Sequence, residues 1–196
     1  MMEVTPVTLF GKIVRLEPLS EVHVPDLTVA GQDESIWCYM LYGTIKTESQ
    51  MRAWVQEILS RQAKGTDLPF AIISLDTGRA VGATRYMEIR LKDRGLEIGG
   101  TWIQVDYQRT PINTESKYLL LKHAFETLEC IRVQFKTDLR NERSQRAIER
   151  LGAVKEGVFR KHMITPEGFI RDSVYYSIVD SDWIVVKARL EAILGI

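Results

Sequence analysis

Leu96-Glu97-Ile98-Gly99-Gly100-Thr101-Trp102-Ile103-Gln104-Val105, the loop Asp106 to Ile112 and a helix expected to open at Asn113 decide how this chain folds. The first ten residues have the length and apolar content of a buried strand, and apolar side chains recur at helical spacing after Asn113. A helix start leaves its first N–H groups without intrahelical partners and carries partial positive charge. Strand, tight loop and helix together therefore suit an anion such as a pyrophosphate. The strand carries one carboxylate, Glu97, in otherwise apolar company. An anion cradle beside a single carboxylate points to group transfer from a phosphorylated carrier.

Upstream, Phe70 to Leu75 and Ala80 to Ile89 flank Asp76-Thr77-Gly78-Arg79 as the arms of a hairpin. Thr47 and Gln50 form a capping box, and Met51, Trp54, Val55, Ile58 and Leu59 follow at helical spacing as far as Gly65. Gly11 to Leu19 alternates as a first strand interrupted by Pro18, and Ser20 opens a short helix ended by Gly31. Between them, Trp37-Cys38-Tyr39-Met40-Leu41-Tyr42-Gly43 gathers large side chains with no clean period. These residues either pack a connection or wall a small pocket, and Trp37, Tyr39 and Trp102 are the candidates for substrate contact.

Downstream, Tyr118, Leu121, Phe125 and Leu128 line a helix from about Thr114 to Leu128, and Arg132 to Asp138 alternates as a strand. Asn141 opens another helix closed by Gly152, and strands near Val154 to Met163 and Arg171 to Val179 surround Pro166-Glu167-Gly168. Ser181 is expected to cap a last helix. The order predicts an α/β (mixed α+β) fold in a single domain over residues 1–196. Its central sheet should be mixed but mostly antiparallel, with helices on both faces.

The 196 residues carry 26 basic and 26 acidic side chains, so no global footprint for nucleic acid exists. Cys38 and Cys130 form no CxxC pair, which argues against a thiolate zinc site and fits a reducing cytoplasm. No apolar run approaches the ~20 residues of a membrane span, and the N-terminus lacks the pattern of a signal peptide. HExxH, GxSxG and Walker motifs are absent from the sequence.

Element order and motifs together resemble the GNAT acetyltransferase superfamily, and the second half is most similar to its RimJ/RimL-like branch. The likeness is carried by Glu115-Ser116-Lys117, Leu119-Leu120-Leu121, His123-Ala124-Phe125-Glu126, Asn141-Glu142-Arg143-Ser144 and Ala147-Ile148-Glu149-Arg150-Leu151-Gly152-Ala153. Glu156-Gly157, Arg171-Asp172 and Tyr176-Ser177-Ile178 extend it. The resemblance implies acetyl transfer from acetyl-CoA to an amine, without a metal. The acceptor would be an N-terminal α-amine of a protein or peptide, with a small amine as the alternative; membrane and nucleic acid are not expected partners, and a homodimer is an open expectation. A non-catalytic acyl-CoA-binding module is the rival from outside the enzyme class.

The resemblance also assigns residues. The family's pyrophosphate loop, Gln/Arg-x-x-Gly-x-Gly/Ala, falls on Gln108, Arg109, Thr110, Pro111, Ile112 and Asn113, with Thr114 next; both glycines are replaced. Pro111 removes an N–H but fixes φ, and Asn113 is expected to cap the helix or turn left-handed. Glu97, eleven residues before Gln108, takes the place of a general base; a structural ion pair to Arg132 or Lys136 is the competing account. N–H groups near Ile103 and Gln104 would receive the thioester carbonyl oxygen, and the strand edge through Val105 would pair with the pantetheine arm. The family's acid tyrosine is replaced by Ile148, so Ser144 becomes the candidate for the departing thiolate and Asn141 a CoA contact. His162 is a candidate for acceptor contact, whereas His123 reads as a surface or packing residue.

Overall fold

The computed structural model describes residues 2–196. Short alternating segments and tight turns build its first half. β1 (Leu9–Phe10) and β2 (Val14–Pro18) pair across a turn, followed by a 3₁₀ turn and α1 (Val24–Ala30). In α2 (Glu48–Ala63) the capping box forms as expected: Gln50 N–H donates to Thr47 Oγ1 at 3.2 Å, and Thr47 N–H to Gln50 Oε1 at 3.0 Å. β3 (Leu68–Ser74) and β4 (Ala80–Arg90) are the expected hairpin, and β5 (Gly95–Ile103) returns antiparallel to β4.

The second half holds α3 (Pro111–Lys122), which ends in a π-helical turn His123–Thr127, then β6 (Arg132–Asp138) and α4 (Glu142–Leu151). The antiparallel pair β7 (Val154–Ile164) and β8 (Ile170–Val179) follows, then α5 (Asp180–Leu194). Asn141 and Gly152, the latter at φ +103°, cap α4 as the sequence predicts. The last helix starts differently: Val179, not Ser181, is its N-cap, because Asp182 reaches back to the Val179 N–H at 3.3 Å.

All eight strands join one sheet in the order β1-β2-β3-β4-β5-β6-β8-β7, and every pairing is antiparallel except β5 with β6. One core fills the face under α3, α4 and α5, with Leu96, Ile98, Leu120, Phe135 and Ile178 at its centre. A second fills the face under α1 and α2, around Trp37, Trp54, Val55 and Trp102.

Strict alternation along β5 would put Ile98 and Trp102 on one face, yet they belong to opposite cores. A bulge causes the switch. Gly100 and Thr101 together oppose Thr84 between the pairs Arg85↔Gly99 and Ala83↔Trp102. Gly100 sits at φ +57°, and a Cβ there would lie 2.9 Å from Arg85 Nε, so glycine is required on both counts.

Glu115 anchors α3 to the other end of the sheet. Its buried carboxylate accepts the N–H groups of Lys12, Ile13 and Val14, each at 2.8 Å. A side chain on Gly11 would collide with that carboxylate, 2.5 Å away. Three charge-assisted hydrogen bonds thereby fix the helix that begins beside the β5 terminus.

Candidate active site

The parallel pairing of β5 with β6 lasts for three positions only: Gly95↔Arg132, Leu96↔Val133 and Glu97↔Gln134. Beyond Glu97 the strands part, leaving one edge of β5 from Ile98 to Ile103 open to a gap. Right-handed twist and the bulge both turn β5 away from its neighbour there. Glu97 stands at the apex of that gap, 1% exposed. Its Oε2 accepts Gln134 Nε2 at 3.0 Å, and its Oε1 lies 3.6 Å from Lys136 Nζ. The competing ion pair is therefore present, to Lys136, while Arg132 is engaged by Glu156 at 2.5 and 2.6 Å. Lys136 and Gln134 offset part of the cost of burying a carboxylate.

The two proposed oxyanion donors separate. Gln104 N–H donates to Val81 O at 2.8 Å and is already spent. In an antiparallel ladder successive residues alternate in direction, so the neighbouring Ile103 N–H turns away from β4 and into the gap. Strand structure ends at Ile103, and Val105 begins a 3₁₀ turn (Val105–Tyr107), so the edge available for pairing stops two residues short of the expected Val105.

The loop after that turn also differs from expectation. α3 opens at Pro111 with Thr110 as N-cap, and Asn113 is a helical residue rather than a cap or a left-handed hinge. Proline at the first helical position costs the helix no intrahelical hydrogen bond, but it takes one free N–H from the cradle and leaves Ile112 and Asn113 to supply the donors. Thr110 Oγ1 accepts Ile112 N–H at a long 3.4 Å, and among the described residues no side chain meets Asn113 N–H. Thr114, one residue further, is buried and closes the first turn of the ladder. The left-handed position falls instead on Arg109, at φ +61°. Gln108 bridges the gap mouth: its Nε2 donates to Ile103 O at 2.9 Å, and its Oε1 accepts Arg143 Nη1 at 2.6 Å.

On the far side, Asn141 Oδ1 accepts the Ser144 N–H at 3.0 Å. Asn141 is therefore the N-cap of α4, and Ser144 contributes only its backbone N–H; the Ser144 hydroxyl has no partner among the described residues and remains able to donate. Ile148 is buried in the core and takes no part. Arg146 pairs with Glu142 at 3.0 Å, one turn away on the exposed face of α4.

The aromatic candidates divide. Trp37 and Trp102 are core residues with ring centroids 5.0 Å apart, and Trp37 Nε1 donates to Gly31 O at 2.8 Å. Tyr39 is half-buried, with the Arg140 guanidinium 5.7 Å from its ring centroid. The same guanidinium lies 3.6 Å from the ring centroid of Phe169, in the β7–β8 turn, and hydrogen-bonds Asp138 at 2.8 and 3.0 Å. Arg140 thus ties the loop before α2 to the β7–β8 turn. His162 is close to the gap: its Nδ1 lies 3.0 Å from Ser173 Oγ and its Nε2 3.4 Å from Tyr175 OH. Burial, then Lys136 and Arg171, hold this imidazole below its usual pKa, so it is mostly neutral at pH 7. Tyr175 links the two clusters, since Lys136 Nζ lies 5.9 Å from its ring centroid. Of the two roles open to His123, surface or packing, it takes packing: half-buried, it stacks on Tyr86 with ring centroids 6.3 Å apart.

Gln134 and Tyr175 are the residues that sequence reading missed. The pattern Val133, Phe135, Thr137 marked the core face of β6. The alternate residues Gln134, Lys136 and Asp138 form a polar face whose neighbours only the sheet order supplies.

A mixed sheet opened beside a buried carboxylate, with unspent N–H groups at a strand edge and a helix start, is the architecture of an acyltransferase that draws on a phosphorylated acyl carrier. Residues 14–154 match the model of the acetyltransferase (GNAT) domain, and the chain belongs to this family, as an acetyl-CoA-dependent N-acetyltransferase. The crystal structure of a "putative acetyltransferase" from T. thermophilus superposes with a TM-score of 0.89 at 40% identity, covering 98% of this chain and 100% of that one. A GCN5-related N-acetyltransferase from Brucella melitensis gives 0.91 at 28% identity, covering 96% and 86%. "Putative ribosomal N-acetyltransferase YdaF" of Bacillus subtilis (strain 168) is 35% identical over 91 residues, which is 46% of this chain and only 49% of that relative.

Proposed function

We propose that the chain acetylates an N-terminal α-amine of a protein or peptide by direct attack on acetyl-CoA in a ternary complex. The observation that carries this reading is Glu97 at the apex of the β5–β6 gap, the one carboxylate buried where a thioester laid along the β5 edge would meet an amine. In this reading the pyrophosphate rests on the start of α3, at Ile112 and Asn113. Gln108, Arg109, Thr110 and Pro111 shape the loop, and Asn141 lines the opposite wall. The Ile103 N–H receives the carbonyl oxygen. Glu97, directly or through water, takes the proton from the attacking nitrogen. The amine adds to the carbonyl carbon, the C–S bond breaks, and the Ser144 hydroxyl relays a proton from water to the departing thiolate.

The amine class follows from proton balance. An α-amine, with a pKa of about 7.7–8.0, is roughly one-tenth neutral at pH 7, whereas a lysine amine near 10.4 is almost wholly charged. A single carboxylate is adequate for the former. The likeness to a ribosomal N-acetyltransferase, as the B. subtilis relative is named, supports a protein acceptor and the RimJ/RimL-like branch. Acceptor entry would lie between Tyr39 and the β7–β8 arm, past His162 and Tyr175. The test is incubation with acetyl-CoA and a panel of N-terminal peptides, lysine peptides and small amines, following free thiol. Thiol release only with α-amines is the expected result; release only with small amines overturns the protein acceptor, and acetyl-CoA binding without release to any acceptor overturns catalysis.

A further inference from the structure

Lys117 is a buried amine that no carboxylate meets among the described residues. It lies one turn past Asn113 on α3, 6% exposed, and takes part in no ion pair among the described residues. Its Nζ instead lies 3.1 Å from Thr84 Oγ1 and 2.5 Å from Thr101 Oγ1. The two hydroxyls are 2.8 Å apart, and Thr101 Oγ1 is 3.5 Å from Gly99 O. These threonines are the facing residues of the β5 bulge, Thr101 on the bulged strand and Thr84 opposite. A leucine or methionine would fill the same space under the sheet at less cost, because an amine loses its hydration there. Burial accordingly pushes the Lys117 amine down to about 7. In either protonation state the amine has protons for one threonine or both, and a threonine hydroxyl is left to donate toward the Gly99 carbonyl.

The bulge decides where the rest of β5 points. Glu97 and Gly99 lie before it, Trp102 and Ile103 after it, and one residue of slip would reverse the Ile103 N–H. We propose that Lys117 is a positioning residue for acyl transfer: with Thr84 and Thr101 it clamps the β5 bulge from beneath, and so aims the Ile103 N–H at the thioester carbonyl oxygen. This rests on the placement of acetyl-CoA along the β5 edge proposed above.

CoA and acetyl-CoA differ only in the group that the clamp serves, so the ratio of their affinities reports on it without any acceptor. Calorimetry with both ligands on the wild type, Thr101→Val, Thr101→Ser and Lys117→Met, alongside thermal melts, makes the test. The wild type should bind acetyl-CoA more tightly than CoA. Thr101→Val, which keeps the shape and loses the hydroxyl, should reduce that preference about 3- to 10-fold, the worth of one hydrogen bond. Thr101→Ser should retain it, and Lys117→Met should behave as Thr101→Val does. Equal ratios for the valine and serine variants, with only the melting temperature lowered, would reduce the cluster to a structural role and overturn the inference. A wild type without preference for acetyl-CoA would overturn it too, by removing the carbonyl contact. The Glu97 assignment is judged separately, since it predicts lost turnover with this ratio intact. Should Lys117→Met not fold, the two Thr101 variants decide alone.

Discussion

The two walls of the gap are built on different principles. On the β5–α3 wall the backbone is left unspent: Ile103 N–H faces the opening, and Asn113 N–H has no side-chain cap. On the β6–α4 wall most polar groups are used at home, the Ser144 hydroxyl excepted. Asn141 caps Ser144, Gln134 and Lys136 hold Glu97, and Asp138 is engaged by Arg140. The contrast teaches a division of labour. One wall offers backbone donors to a ligand; the other keeps the gap in shape, orients the carboxylate and leaves one side-chain donor, the Ser144 hydroxyl.

Four variants would break or sharpen that contrast. Glu97→Gln keeps the Gln134 and Lys136 neighbours but cannot take a proton, so turnover should fall about 100-fold or more while acetyl-CoA affinity by calorimetry holds. Undiminished turnover would make Glu97 part of the scaffold. The next effect concerns pH and Lys117. Its folded pKa is about 7 against 10.5 for the free side chain. Between those values the unfolded chain binds the extra proton, so stability should rise as pH climbs from about 7 toward 10.5. The slope is at most about 1.4 kcal/mol per pH unit. Lys117→Met should lack this slope in denaturant titrations at several pH values; the same slope in both proteins contradicts the assignment.

Asn141→Ala removes the α4 cap and should cost about 1 kcal/mol of stability together with some acetyl-CoA affinity. A stability loss with affinity unchanged would leave the α4 wall purely structural. The smallest effect belongs to the pair between Arg132 at the start of β6 and Glu156 on the edge strand β7. Hydrogen bonding to Arg132 draws the Glu156 carboxyl down to about 2 from 4.5. A lowered folded pKa gives stability that is present above pH 4.5 and lost as pH falls toward 2. The pair is partly exposed, so Glu156→Gln should change acid unfolding by less than about 1 kcal/mol. No difference between pH 5 and 2 would show full screening by solvent.

Local chemistry was legible wherever the deciding contacts are close in sequence. The Thr47–Gln50 box, the Asp76–Arg79 hairpin and the Asn141 and Gly152 caps all depend on residues within four positions of one another. The start of α3 was misplaced because Pro111 read as a lost glycine, when its fixed φ suits a first helical residue. Trp37 follows the packing alternative of its cluster, and Trp102 joins it in the core because the bulge at Gly100 turns it toward α2, which nothing local shows. Glu97 was found through its spacing to the loop, yet its partners Gln134 and Lys136 belong to a strand that is adjacent only after a helix has crossed over.

By itself, then, the sequence determined the element order, the caps and the family likeness, because periodicity and capping act within a turn or two of chain. Tertiary structure alone decided where β5 and β6 part, which N–H faces the gap and what meets Lys117. Those outcomes depend on sheet order, on one extra residue in a ladder and on the burial of groups distant along the chain.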